Sequence, residues 1–274
     1  MVVNKVWAVY FSATGTTKKV VEEIANVIAD KLGAARETFD FTLPQAREGA
    51  PGFKQGDLVV FGTPVYAGRV PNVLLKYLET IRGNGAAAVP VVLYGNRDYD
   101  DALIELRDIL EKDGFHAIAA ATFIGEHSFS YILAKERPDD ADLHKAGTFA
   151  ADVAKKSSSI DDFTAASIEV KGTPDPYRGY YQPRDRKGEP VDIRKVKPLT
   201  NDSCNDCKIC ADICPMGSIS REDVKEYTGI CIKCGACIKK CPLQAKYYED
   251  AGYLYHQHEL EEGLTRRAEP EWFL

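Results

Sequence analysis

The first 203 of the 274 residues contain no cysteine. A disulfide framework spread along the chain is thereby excluded. Long apolar runs are missing too: the longest strongly apolar stretch, Ala86 to Tyr94, falls well short of the ~20 residues a membrane helix requires. The opening MVVNKVWAVYFSATG shows neither a basic n-region nor a cleavage site, so a soluble, cytoplasmic protein without a membrane span is expected. Positive charge is not in excess, since 35 Lys and Arg against 41 Asp and Glu leave a net charge of -6. Phosphate-backbone binding needs a basic footprint, and nucleic acid is not an expected partner. No Ser-His-Asp order or paired-carboxylate motif is recognisable, so hydrolysis has no support. What remains is a globular composition, 45% hydrophobic and 28% charged, with a length suited to about two domains.

All eight cysteines lie between Cys204 and Cys241. Their spacing reads Cys204-x2-Cys207-x2-Cys210-x3-Cys214-Pro215, then Cys231-x2-Cys234-x2-Cys237-x3-Cys241-Pro242, a repeat with a period of 27 residues. Three thiolates at this spacing can wrap the corners of one cubane from a single loop, while the fourth, followed by proline, leads away and serves the other cluster in two-cluster ferredoxins. One [4Fe-4S] cluster is therefore expected on Cys204, Cys207, Cys210 and Cys241, and a second on Cys231, Cys234, Cys237 and Cys214. Structural zinc would use four ligands per site and leave the third cysteine of each triplet without a role. Disulfides belong to small secreted scaffolds, and cysteines this close in a helical loop bridge poorly.

Upstream, the apolar run VWAVYF at 6–11 leads directly into Ser12-Ala13-Thr14-Gly15-Thr16-Thr17. Val20, Val21, Ile24, Val27, Ile28 and Leu32 follow at helical spacing. A hydroxyl-rich loop at a helix N-terminus offers backbone and side-chain donors and the positive dipole end to a phosphate. The loop is neither G-x4-G-K-[ST] nor G-x-G-x-x-G, so a phosphate monoester is the expected ligand. Strand-like Glu37–Phe41, Leu58–Thr63, Val89–Tyr94 and His116–Phe123 alternate with helices near Pro71–Arg82, Ala102–Asp113 and Asp139–Lys156. The pattern predicts a doubly wound parallel sheet of five strands. About 15 residues separate strands two and three, too few for a full helix. Ligands of such sheets sit beyond the carboxyl ends of the strands, where the later loops read TPVYAGRVP and GNRDYDD.

Ser12 to Thr17 resembles the flavodoxin phosphate loop [ST]-x-T-G-x-T, and the two later loops occupy the positions that hold isoalloxazine in flavodoxins. The implied cofactor is FMN. By this resemblance Ser12, Thr14, Gly15, Thr16 and Thr17 bind its phosphate; Thr63, Pro64, Val65, Tyr66, Ala67 and Gly68 border the ring; Gly95, Asn96, Arg97 and Tyr99 close its other side. Tyr66 and Tyr99 are the candidates to stack on it. The whole chain is similar to fusion proteins of anaerobic prokaryotes in which a flavodoxin-like domain precedes a bacterial two-cluster ferredoxin. The expected division is 1–156 for the flavodoxin-like FMN domain, 157–199 for a Pro-rich linker, 200–250 for a small α+β 2[4Fe-4S] ferredoxin-like domain, and 251–274 for a C-terminal helix with an apolar tail. Tyr177, Tyr180 and Tyr181 are expected to pin the linker to a domain, whereas His256 and His258 are expected to face solvent. His127, after the fifth strand, is the candidate catalytic proton donor or substrate ligand.

The resulting functional expectation is electron transfer of single charges between two [4Fe-4S] clusters and FMN. Redox proteins, a ferredoxin or a low-potential oxidoreductase, are the expected partners, and a homo-oligomer is left open. The alternative is an FMN-dependent reductase, an oxidoreductase that delivers electrons to a small acceptor such as a quinone, an enoate or oxygen, with His127 and Arg97 or Arg69 guiding it.

Overall fold

A computed structural model describes residues 2–165, 168–185 and 187–274; positions 1, 166, 167 and 186, within the expected first domain and linker, lie outside the described residues. β1 (Lys5–Tyr10), β2 (Ala35–Asp40), β3 (Asp57–Pro64), β4 (Ala87–Tyr94), β5 (His116–Ala117) and β6 (Ala120–Ile124) pair in parallel, and β9 (Glu271–Phe273) joins antiparallel, in the order β2-β1-β3-β4-β6-β9 with β5 beside β4. Every residue of β4 is buried, and in β3 all but Pro64. Such continuous apolar strands belong in a parallel sheet covered on both faces. The cover comes from α1 (Thr16–Leu32), α2 (Asn72–Leu78), α3 (Ala102–Lys112) and α4 (Asp140–Ser159). α1 turns Val20, Val21, Ile24 and Ile28 inward, and Asp139 caps α4 through a reciprocal box with Asp142. Between β2 and β3 only a 3-10 turn, Pro44–Glu48, forms.

The expected single strand His116–Phe123 is split. β4 meets β5 at Ala88↔Ala117 and β6 at Val91↔Ala121, so one extra residue is accommodated opposite Pro90. Proline brings no N–H to a ladder, and the bulge falls where that donor is missing. The sheet also exceeds the five expected strands, because the apolar C-terminal tip pairs with β6, Trp272 beside Ala121 and against Phe149 at 6.2 Å between ring centroids.

The cysteine-bearing segment is built from β7 (Leu199–Thr200), α5 (Ile209–Asp212), α6 (Ala236–Lys239) and β8 (Lys246–Tyr247), with β7 and β8 antiparallel. α7 (Ala251–Gly263) follows, capped by Asp250, whose carboxylate accepts the Tyr253 N–H at 2.8 Å. Among the described residues no helix is long and apolar enough to cross a membrane.

Candidate functional site

Between β1 and α1, Gly15 sits at φ 102°, a left-handed position open to a residue without Cβ, and as the N-cap residue it brings no side chain to the helix it begins. Ser12 Oγ accepts the Lys18 N–H at 2.9 Å and closes the loop. Thr14, Thr16 and Thr17 line a cavity of about 60 Å³ whose wall also takes in Pro64, Val65, Tyr66, Gly95, Glu126, His127, Ser128 and Cys234. A hydroxyl-rich helix start with glycine at its N-cap fits a phosphate.

Val65, Tyr66, His127 and Ser128 also border a second chamber, of about 510 Å³, whose walls come from four parts of the chain. Ala67 and Arg97 belong to the sheet loops, Tyr180 to Pro183 to the linker, Ile232 and Lys233 to the cysteine segment, and His256 and Leu260 to α7. Tyr66 and Arg69 exchange backbone hydrogen bonds at 3.0 and 3.1 Å across Ala67 and Gly68, both at positive φ, so this loop is a tight two-residue turn. Its Arg69 is locked to Glu105 through two 2.7 Å bonds and lies over Tyr177 and Tyr180. It therefore anchors the linker, where it also donates to Arg178 O at 2.5 Å.

Four of the residues expected at the ring do not line either chamber. Thr63 is fully buried within β3. Gly68 forms the turn. Asn96 donates to the carbonyls of Leu264 and Arg266 at 3.0 and 2.8 Å and accepts from Ala268 N–H, which makes it the clasp of the C-terminal segment. Tyr99 is buried against Tyr94 with its hydroxyl on Glu271 at 3.1 Å. The acceptor of its hydroxyl comes from the C-terminal strand.

His127 lies where both chambers meet. Its Nδ1 accepts the Phe129 N–H at 3.1 Å, and burial, followed by nearby His256, Lys239 and Arg97, pushes its pKa down to about 3. The imidazole is thus neutral at pH 7, not a group titrating near neutrality. His256, expected in solvent, is buried, with its ring on Tyr181 at 5.9 Å and Phe129 at 6.2 Å; burial again lowers its pKa. The missed signal was the stripe Tyr253, His256, Leu260 at helical spacing on α7. Tyr181, expected to pin the linker, does more than that. Its N–H does bond Ala67 O at 2.8 Å, but it also walls the chamber, and Arg97 lies 4.6 Å from its ring. Tyr177 and Tyr180 fasten the same strap, their hydroxyls on Asp108 and Val70 O.

The eight thiols are free of disulfides and fall into two groups. Cys204, Cys207, Cys210 and Cys241 line one narrow cavity, and Cys214, Cys231, Cys234 and Cys237 line another. Four cysteines lining each hollow, three from one loop and one from the other, are the donor set a cubane takes, so the residue types fit the group. The Tyr66 hydroxyl is held well above its ordinary value by burial and then by Cys234 and Cys231, a mark of how close the two modules come.

The Flavodoxin domain family model matches residues 8–111, and the 4Fe-4S binding domain model matches 201–217 and 228–250. Pyruvate synthase subunit PorD of Methanothermobacter marburgensis is 39% identical over 61 residues, 22% of this chain and 74% of that protein. Ferredoxin 7Fe of Hydrogenibacillus schlegelii is 40% identical over 43 residues, 15% of this chain and 55% of that ferredoxin, about half its length. Among solved structures, a flavodoxin from the domain Archaea aligns at 18% identity and TM-score 0.40, covering 56% of this chain and 99% of its own. The two modules define an FMN and iron–sulfur electron-transfer protein. The chain belongs to the proteins that fuse a flavodoxin domain to a ferredoxin-type 4Fe-4S binding domain.

Proposed function

We propose that this chain passes single electrons between two [4Fe-4S] clusters and FMN, in the cytoplasm, with low-potential redox proteins as partners. Cys204, Cys207, Cys210 and Cys241 would hold one cluster and Cys214, Cys231, Cys234 and Cys237 the other. Ser12 and Thr14 to Thr17 would take the FMN phosphate, with Pro64 to Ala67, Gly95 and Arg97 beside the ring. When bound, FMN stores electrons taken singly or in pairs, and a cluster relays one at a time. The observation that carries the reading is that Cys234 lines the same cavity as Thr14, Thr16 and Tyr66. The chain's own residues do the rest. Gly15 and the start of α1 aim donors at an anion, Tyr66 and Tyr181 wall the chamber against water, and Lys239, paired with Glu126 and bonded to Ser130 O, keeps the modules in register. Likeness to a protein named as a pyruvate synthase subunit supports a low-potential oxidoreductase, or its ferredoxin, as the partner.

A second reading, a reductase of a small acceptor such as a quinone, an enoate or oxygen, is favoured by the 510 Å³ chamber with Arg97 and two histidines of lowered pKa in its wall. Neutral imidazoles there would donate N–H to an acceptor's oxygen. Anaerobic purification with iron, sulfide and flavin quantitation tests the first reading. Thr14→Val is expected to weaken FMN retention while leaving about eight irons per chain; undiminished retention defeats the phosphate assignment. Rapid FMN reduction by NADPH without ferredoxin would favour the reductase over the carrier.

A further inference from the structure

The two halves of the cysteine repeat share a backbone but not their neighbours. Residues 27 apart adopt the same left-handed φ: Asp206 at 59° and Lys233 at 55°, Lys208 at 64° and Gly235 at 74°, Gly217 at 59° and Gln244 at 50°. Ser218 and Ala245 donate their N–H groups to the thiols four residues back, Cys214 at 3.3 Å and Cys241 at 3.2 Å. A lysine is thus accommodated in the first half where the second half has glycine, and loop geometry alone does not call for Gly235. The neighbour does: a Cβ at Gly235 would lie 2.5 Å from the carbonyl oxygen of Ser128, next to His127.

Among the described residues, the contacts between the cysteine and sheet modules gather around Cys214 and the second triplet, and Tyr131, which lies near Cys241, lies near Cys237 as well. Lys239 pairs with Glu126, and Arg47 donates to Pro215 O at 2.6 Å, beside Cys214. Cys234 is buried and lines the phosphate-loop cavity. Its counterpart Cys207 is exposed, and Lys208 next to it bonds Glu222 O within the cysteine module.

We infer that the two ligand sets hold different posts. Cys214, Cys231, Cys234 and Cys237 form the inner set, which faces the flavin module. Cys204, Cys207, Cys210 and Cys241 form the outer set, which meets an external one-electron carrier protein. Gly235 is the positioning residue that lets the inner loop seat on Ser128. Each electron admitted at the outer set is one lost by the carrier, and no bond is made or broken in the exchange. The assignment rests on the reading that this chain binds both clusters and FMN.

Two variants test it. Gly235→Lys copies Lys208, so the loop's own backbone is preserved; iron and flavin content and the low-temperature EPR spectra of the reduced clusters are expected to persist. Flavin reduction after flash reduction of the clusters is expected to slow at least tenfold, with Lys208→Gly unaffected. Equal rates in Gly235→Lys and the parent overturn the positioning role. Independently of that variant's folding, Cys204→Ala/Cys207→Ala is expected to lose half the iron, keep flavin and the EPR spectrum of one cluster, and still reduce flavin after a flash. Its reduction by a soluble two-cluster ferredoxin is expected to fall at least tenfold. Cys234→Ala/Cys237→Ala is expected to lose flavin reduction from both sources. An undiminished ferredoxin rate in the first double variant overturns the assignment, whereas a parent protein without iron or without flavin refutes the underlying functional reading instead.

Discussion

The sheet module and the cysteine module are held together by opposite means. In the first, Phe41, Phe61, Phe123 and Phe149 are fully enclosed, and burial of each such side chain contributes roughly 1.5–3 kcal/mol. In the second, the strands are two residues long and the two helices between the cysteines four; its buried apolar residues are few, among them Ile219, Val224, Ala236 and Ala245. A segment of this size does not stand on apolar burial alone. The contrast teaches that one module carries its stability in its own side chains, and the other in what its thiols bind and in the seam with its neighbour.

The largest expected effect is therefore iron removal. Anaerobic chelation should make the region between Cys204 and Cys241 fully protease-sensitive, because metal binding there is folding free energy, while the sheet module keeps a cooperative melt. An unchanged cleavage pattern would erase the contrast. Phe61→Ala should cost about 3–5 kcal/mol in urea unfolding of the sheet module and leave iron per chain unaltered. Asp142→Asn comes next. Arg137, whose guanidinium holds Asp142 and the Ala268 carbonyl in a buried site, would lose its charge partner at a cost of about 3 kcal/mol. Faster hydrogen exchange at Thr122 and Glu271 would report the loosened C-terminal strand.

Smaller still is Asp101→Ala. This buried carboxylate accepts the N–H groups of Thr173 and Arg178 at 2.8 and 2.7 Å, so about 1–3 kcal/mol and new proteolysis near those residues are expected, with both modules intact. The mildest effect is on pH dependence. With its pKa near 3, folded His127 binds fewer protons than the unfolded chain, whose histidine titrates near ~6.5. Its contribution is complete above that value and declines as pH falls toward 3. His127→Gln should flatten the urea midpoint between pH 7 and 5 relative to the parent; equal slopes would show that another group carries it.

Local chemistry was legible from residues alone. The hydroxyl-rich loop Ser12 to Thr17 and the triplets of cysteines announce themselves because each is a few consecutive residues whose spacing is the geometry. Even the cross-over of Cys214 and Cys241 to the opposite cavity could be expected, since the repeat dictates which thiol each loop sends away. The missing second helix followed from a connection too short to hold one. By contrast, the split of the last core strand, the bond of Tyr99 to Glu271 and the burial of His256 depend on partners far along the chain. The Asn96 amide meets Leu264 across 168 positions, and no periodicity near Asn96 encodes that encounter.

The order of residues by itself determined two binding chemistries and the sheet that presents one of them, because strands, helix caps and ligand loops answer to near neighbours. Only tertiary structure decided that the linker and α7 would wall the chamber beside Tyr66, that the C-terminal tip would extend the sheet, and that one half of a sequence repeat would press against the flavin module while the other stayed outside. Those outcomes are set by which apolar and hydrogen-bonding surfaces remain to be covered once the local elements exist.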